Sequence, residues 1–96
     1  MRPSEALNLH REAVRQVVLS HHVSNARVFG SVLHGDDTDE SDLDLLVDTL
    51  PGTTLFDLGG LHYDLEALLG IQVDLLTPNG LSQRFRDQVL AEAVPV

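Results

Sequence analysis

Two short apolar runs, Leu43–Val47 (LDLLV) and Ile71–Leu76 (IQVDLL), each carry an internal aspartate and are separated by a leucine-rich stretch at helical spacing. That arrangement leaves few folds open. Leu55, Leu58, Leu61, Leu65, Leu68 and Leu69 fall on one face of a helix that Thr53 or Thr54 can cap and Gly70 can end. A strand, a helix and a second strand in that order predict a parallel pair joined by a right-handed crossover. Gly59-Gly60 inside the helix costs about 1 kcal/mol per residue relative to alanine, which predicts a close contact or a weak point there.

The remaining segments fit around this unit. Ser4 can cap a first helix running to about His22, with Leu7, Val14, Val17 and Val18 on one face. Ala26–Gly30 reads as a strand and Ser31–Gly35 as a single helical turn. Pro78-Asn79-Gly80 leads into a last helix from Leu81 to about Ala93. The predicted order is α-β-turn-β-α-β-α, a two-layer α/β (α+β) domain of three or four strands, with the direction of the first strand left open. Residues 1–96 are expected to form a single domain.

Composition narrows the function. With no cysteine there is no thiolate zinc site, disulfide or cysteine nucleophile. No apolar run reaches the ~20 residues of a membrane span, and the N-terminal segment lacks a signal peptide's apolar middle, so a cytoplasmic location away from membranes is expected. The net charge is −9, and the six cations are all arginine. Such a surface disfavours direct nucleic-acid binding. Seven of the acids, Asp36, Asp37, Asp39, Glu40, Asp42, Asp44 and Asp48, crowd into one segment that runs from a loop into a strand.

Within that segment Asp42 and Asp44 stand at i and i+2, so both carboxylates project from one side of the strand while Leu43, Leu45 and Val47 point to the other. Two carboxylates ~7 Å apart repel each other. They are either solvated at the strand's mouth or held against a divalent cation, and magnesium takes one or two carboxylates together with substrate phosphates. A calcium loop beginning at Asp37 is excluded, because Asp42 stands where the turn requires glycine and Asp48 where glutamate is required. Asp74 interrupts the next apolar strand, a costly place for a charge unless it is paired or metal-bound. Beside Asp42 and Asp44 it would complete a site for two ions. Gly30-Ser31, where a strand meets a helical turn, lets phosphate approach the backbone.

Gly30-Ser31, ten intervening residues and Asp42-x-Asp44 resemble the G-S-x(10)-D-x-D signature of polymerase-beta-like nucleotidyltransferases. The wording FGSVLHG, SDLDLLVD and VDLLT is similar to their minimal nucleotidyltransferase (MNT) branch. The resemblance implies the two-layer nucleotidyltransferase fold with a mixed sheet. It also implies two magnesium ions held by Asp42, Asp44 and Asp74, with Asp74 helping to activate an acceptor hydroxyl, and ATP phosphates gripped at Gly30 and Ser31. The implied role is that of an antitoxin, one that transfers AMP from ATP onto a partner HEPN ribonuclease toxin. The alternatives are steric blocking of that toxin and transfer to a small-molecule hydroxyl. Many relatives read GSxARG where this chain has His34 in the arginine's place, and histidine is mostly uncharged near neutral pH. His10, His21, His22 and His62 are expected at the surface, Tyr63 in boundary packing, and Arg27 against a surface acid.

Overall fold

The computed structural model describes residues 1–96. Strand β2 (Leu43–Thr49) is its axis: Leu43, Leu45, Leu46 and Val47 are all 0% exposed, so the strand is covered on both faces. It lies between β1 (Val23–Phe29), which runs antiparallel to it, and β3 (Val73–Leu76), which runs parallel. Helix α3 (Leu55–Leu69) makes the crossover from β2 to β3, as the run of segments predicted. A two-residue strand, β4 (Val94–Pro95), pairs antiparallel with β1 and completes a mixed sheet of order β3-β2-β1-β4. Nothing in the sequence signalled β4, because two residues carry no periodicity.

One face of the sheet carries the main core. Val28, Leu43, Leu45, Val47 and Val73 pack there against Ala6, Leu7, Val14 and Val18 of α1 (Pro3–Leu19) and Leu61, Leu65 and Leu69 of α3. Helix α1 starts at Pro3, whose missing N–H costs nothing in a first turn, and it ends three residues before His22. Ser4 is therefore inside the helix and does not cap it. Its N–H instead donates to the Asp37 carboxylate at 2.9 Å, so a buried aspartate from the acidic loop closes the helix start from 33 residues away. That hydrogen bond is the main reason the Asp37 carboxyl is held below the usual carboxylate range.

In α3, Thr54 is the cap and Gly70 the terminator, with φ of 67° in the left-handed region. Leu55 is 84% exposed and does not face inward, because the buried stripe begins one turn later. Tyr63 is exposed as well, not boundary-packed. Of the two helical glycines, Gly60 lies close to the His21 ring, where a β-carbon would sit 3.2 Å from it, while Gly59 faces open space.

The second face is built differently. Leu46 points away from Leu45 and Val47 and lies outside the main core cluster, as does the buried Leu81. The chain reaches Leu81 from β3 through a 3-10 turn (Pro78–Gly80) and continues as α4 (Gln83–Glu92) to β4 at the opposite edge. Helix α4 thus crosses the Leu46 face, yet none of its residues is buried. Leu46 itself is fully buried, while the helix's own residues stay exposed or half-buried.

Candidate functional site

Cross-strand partners share a face, and the register places Phe29, Asp44 and Asp74 side by side: Phe29 opposite Asp44 on β1, and Asp74 beside Asp44 on β3. Asp44, Leu46 and Asp48 alternate along β2 on the second face, opposite the main core. The expectation that Asp74 stands beside the D-x-D pair follows from this register. Asp42, just before β2, is exposed at the rim.

Electrostatics marks Asp44 as the centre. Its carboxyl is pushed up to about 6, first by burial, then by the neighbouring Asp74 charge, by a hydrogen bond shared with Asp74, and by the Asp42 charge. An acid whose folded pKa lies above its unfolded value of 3.8 adds stability at low pH and loses that contribution as pH rises through about 6. Asp44→Asn carries no charge to desolvate. Without metal, it is expected to melt a few degrees above the wild type near neutral pH, with the advantage shrinking once pH falls below about 6. A melting difference that stays constant from neutral to acid pH would contradict the crowding of these carboxylates.

Gly30 closes the arrangement. It opens the short helix α2 (Gly30–His34) with φ of 73°, and a β-carbon added there would collide with Asp44, whose carboxylate carbon would lie 2.9 Å away. The backbone at the start of α2 therefore lies directly against the Asp44 carboxylate. Ser31 is half-buried next to it. An anion gripped by this turn would be brought to the acidic face, and only an intervening cation makes that combination favourable. As the side chains stand, no three acidic or histidine groups form a closed set around a single ion. The donor set suits a metal that completes its shell with phosphate oxygens: hard carboxylate oxygens on Asp44 and Asp74, and Asp42 at the rim. A hollow of about 500 Å³, bordered by Asp39, Glu40, Ser41, Gly70 and Gln72, opens beside Asp42.

Two side chains outside the predicted set hold Asp74's strand. His62 Nε2 lies 2.7 Å from the Val73 carbonyl, and the Glu66 carboxylate accepts from the Val73 N–H at 2.9 Å. Their spacing of four on α3 puts them on one helix face, but nothing local announces that the face meets β3. His21 pairs with Asp64 at 2.7 Å, and Arg27 pairs with Asp48, the surface acid expected of it. His34 lies 3.1 Å from Glu92 of α4. The residue in the usual arginine's place is thus engaged with a carboxylate.

A four-stranded mixed sheet with paired aspartates on one face and a Gly-Ser turn against them defines a nucleotidyltransferase architecture. The comparisons agree. Residues 7–96 match the family model described as "Nucleotidyltransferase domain". The protein adenylyltransferase MntA of Thermococcus cleftensis is 36% identical over 90 residues, covering 94% of this chain and 88% of its own. A solved structure described as "putative minimal nucleotidyltransferase" superposes with a TM-score of 0.86 at 46% identity, covering 97% of this chain and 95% of that one. A toxin–antitoxin crystal structure with AMP-PNP has the same fold, with a TM-score of 0.70 at 22% identity over 88% of this chain and 69% of that one. The chain belongs to the nucleotidyltransferase-domain family and is a nucleotidyltransferase of the minimal type. None of its helices is long and apolar enough to cross a membrane.

Proposed function

We propose that this protein is a magnesium-dependent protein adenylyltransferase that transfers AMP from ATP to a hydroxyl of a HEPN ribonuclease toxin and so acts as its antitoxin. The observation that carries the reading is the Asp44–Asp74 register, with Gly30 packed against the Asp44 carboxylate. Asp42, Asp44 and Asp74 would hold two magnesium ions, and the backbone at Gly30 with the Ser31 hydroxyl would hold the terminal phosphates. The metal supplies charge neutralisation on the phosphates and on the departing pyrophosphate. Asp74 lies in the exposed part of the site and takes the proton as the acceptor hydroxyl attacks the α-phosphate. The α–β phosphoanhydride bond breaks, and pyrophosphate leaves. Fixed alignment and electrostatics do most of this chemistry.

Four further observations support a protein acceptor. The relative from Thermococcus cleftensis is named a protein adenylyltransferase, and a fold neighbour is a toxin–antitoxin complex with AMP-PNP. The net charge of −9 and the acidic hollow beside Asp42 suit a cationic protein segment better than a nucleic acid. The test is intact-mass spectrometry on the product of the neighbouring reading frame, incubated with this protein, ATP and magnesium in the cytoplasm-like conditions the reading assumes. The expected result is a partner heavier by one or more AMP units, with its ribonuclease activity lost. Neutralisation without any mass change would replace catalysis with steric blocking. That outcome is the one favoured by the His34–Glu92 contact, which puts a carboxylate near the phosphate turn.

A further inference from the structure

The proposed reaction brings a highly anionic triphosphate to a face that already carries Asp42, Asp44, Asp48 and Asp74, in a chain whose only permanent cations besides the N-terminus are six arginines. Most are spent elsewhere. Arg2, Arg15 and Arg27 are paired with Glu5, Glu12 and Asp48. Arg11 lies on α1 and bonds Asn8 at 3.0 Å, while Arg84 is exposed over the Phe85 ring. His34 cannot supply the missing charge freely, because its ring faces Glu92.

Arg86 is different. Arg86 and Val89, three apart, are the only half-buried residues of α4, so Arg86 lies on the inward side of the helix that crosses the Leu46 face. That is the face on which Asp44 and Asp74 stand. One terminal nitrogen, Nη2, donates to the Leu81 carbonyl at 3.1 Å, which anchors the guanidinium to the turn before α4. Its Nε is the one buried side-chain nitrogen or oxygen in the molecule without a hydrogen-bond partner, a carboxylate included. A buried N–H left unpaired costs about 1–3 kcal/mol. A cation four residues into a helix also opposes the helix dipole. Neither cost is offset within the chain, and an anion bound between α4 and the sheet would offset both.

We infer that Arg86 is a nucleotide-binding residue that neutralises phosphate charge from α4, across the Asp44 face. The inference rests on the proposed nucleotide chemistry of the Asp44 face. It requires Arg86→Ala to weaken magnesium-ATP binding by about tenfold or more, to leave adenosine binding unchanged, and to melt no lower than the wild type. Arg86→Lys keeps the charge without the fork and should fall between the two. Calorimetric titration of each variant with magnesium-ATP and with adenosine, beside a melting curve, reads all of this without a partner protein. If the wild type binds magnesium-ATP and Arg86→Ala binds it equally well, the inference falls and the proposed function stands. A variant that melts lower and loses ATP and adenosine alike would make Arg86 a packing residue and overturn the inference too. If the wild type itself binds no magnesium-ATP, the reading of the site falls and this inference with it.

Discussion

Replacing Asp42 and Asp44 together by asparagine is expected to reduce AMP transfer to the partner by at least about a thousandfold. The two substitutions keep the shape of both side chains and remove the charge that would hold the metal. They also remove the repulsion around Asp44, whose carboxyl is pushed up to about 6 in part by its acidic neighbours. The double variant should therefore stay folded and lose activity, and that combination separates a chemical role from a structural one. Manganese or magnesium titrations should show nucleotide binding that no longer depends on the metal, and circular dichroism should be that of the wild type. Transfer that persists in the folded double variant would show that the acidic face is not the reacting centre.

The second large effect is expected from Gly30→Val. A left-handed conformation costs an L-residue roughly 1–2 kcal/mol, and more when the side chain is β-branched. The added carbons would also enter the space of the Asp44 carboxylate. The α2 turn must move away from β2, and with it the backbone proposed to receive the phosphates. ATP binding should fall below detection, while the core on the opposite face keeps the domain folded. Ser31→Ala alters no backbone and removes one hydroxyl, so its loss should be limited to about 1.5–3 kcal/mol of binding. Calorimetry on both variants provides the comparison: equal, wild-type affinities would place the phosphates away from this turn.

Much of the site could be read from the sequence because strand periodicity is strict. Once β2 and β3 are known to be parallel neighbours, Asp44 and Asp74 need only a matching register, and the apolar residues on either side of each aspartate fix which face is buried. The crossover helix was equally plain from its leucines and from Gly70. What escaped depends on contacts between distant residues. In the sequence Asp37 is one more acid in a crowded segment, and only the fold brings it to Ser4. His62 and Glu66 carry no signal that they grip the backbone of Val73. Leu55 fits the helical spacing of the buried leucines yet projects into solvent, because spacing reports a direction and not whether anything lies there. The strand before Gly30 begins earlier than its apolar residues suggest, since Asn25 adopts φ of 55° at an irregularity that no pattern of hydrophobicity reveals.

The two side chains holding Val73 have a consequence for assembly. β3 is an outer strand, and an unpaired outer strand offers its N–H and C=O groups to any extended chain that can lie alongside. Here His62 and Glu66 already occupy the outward groups of Val73, and at the other edge β4 occupies those of β1 around Arg27 and Val28. Strand addition, one way in which a sheet captures an extended peptide, is thereby hindered at the start of β3, and at the other edge only the two residues of β4 are left to receive a strand. A partner approaching β3 at Val73 would meet the His62 and Glu66 side chains before the strand's backbone. The same two side chains stand in the way of a second copy that would add its own sheet edge at Val73.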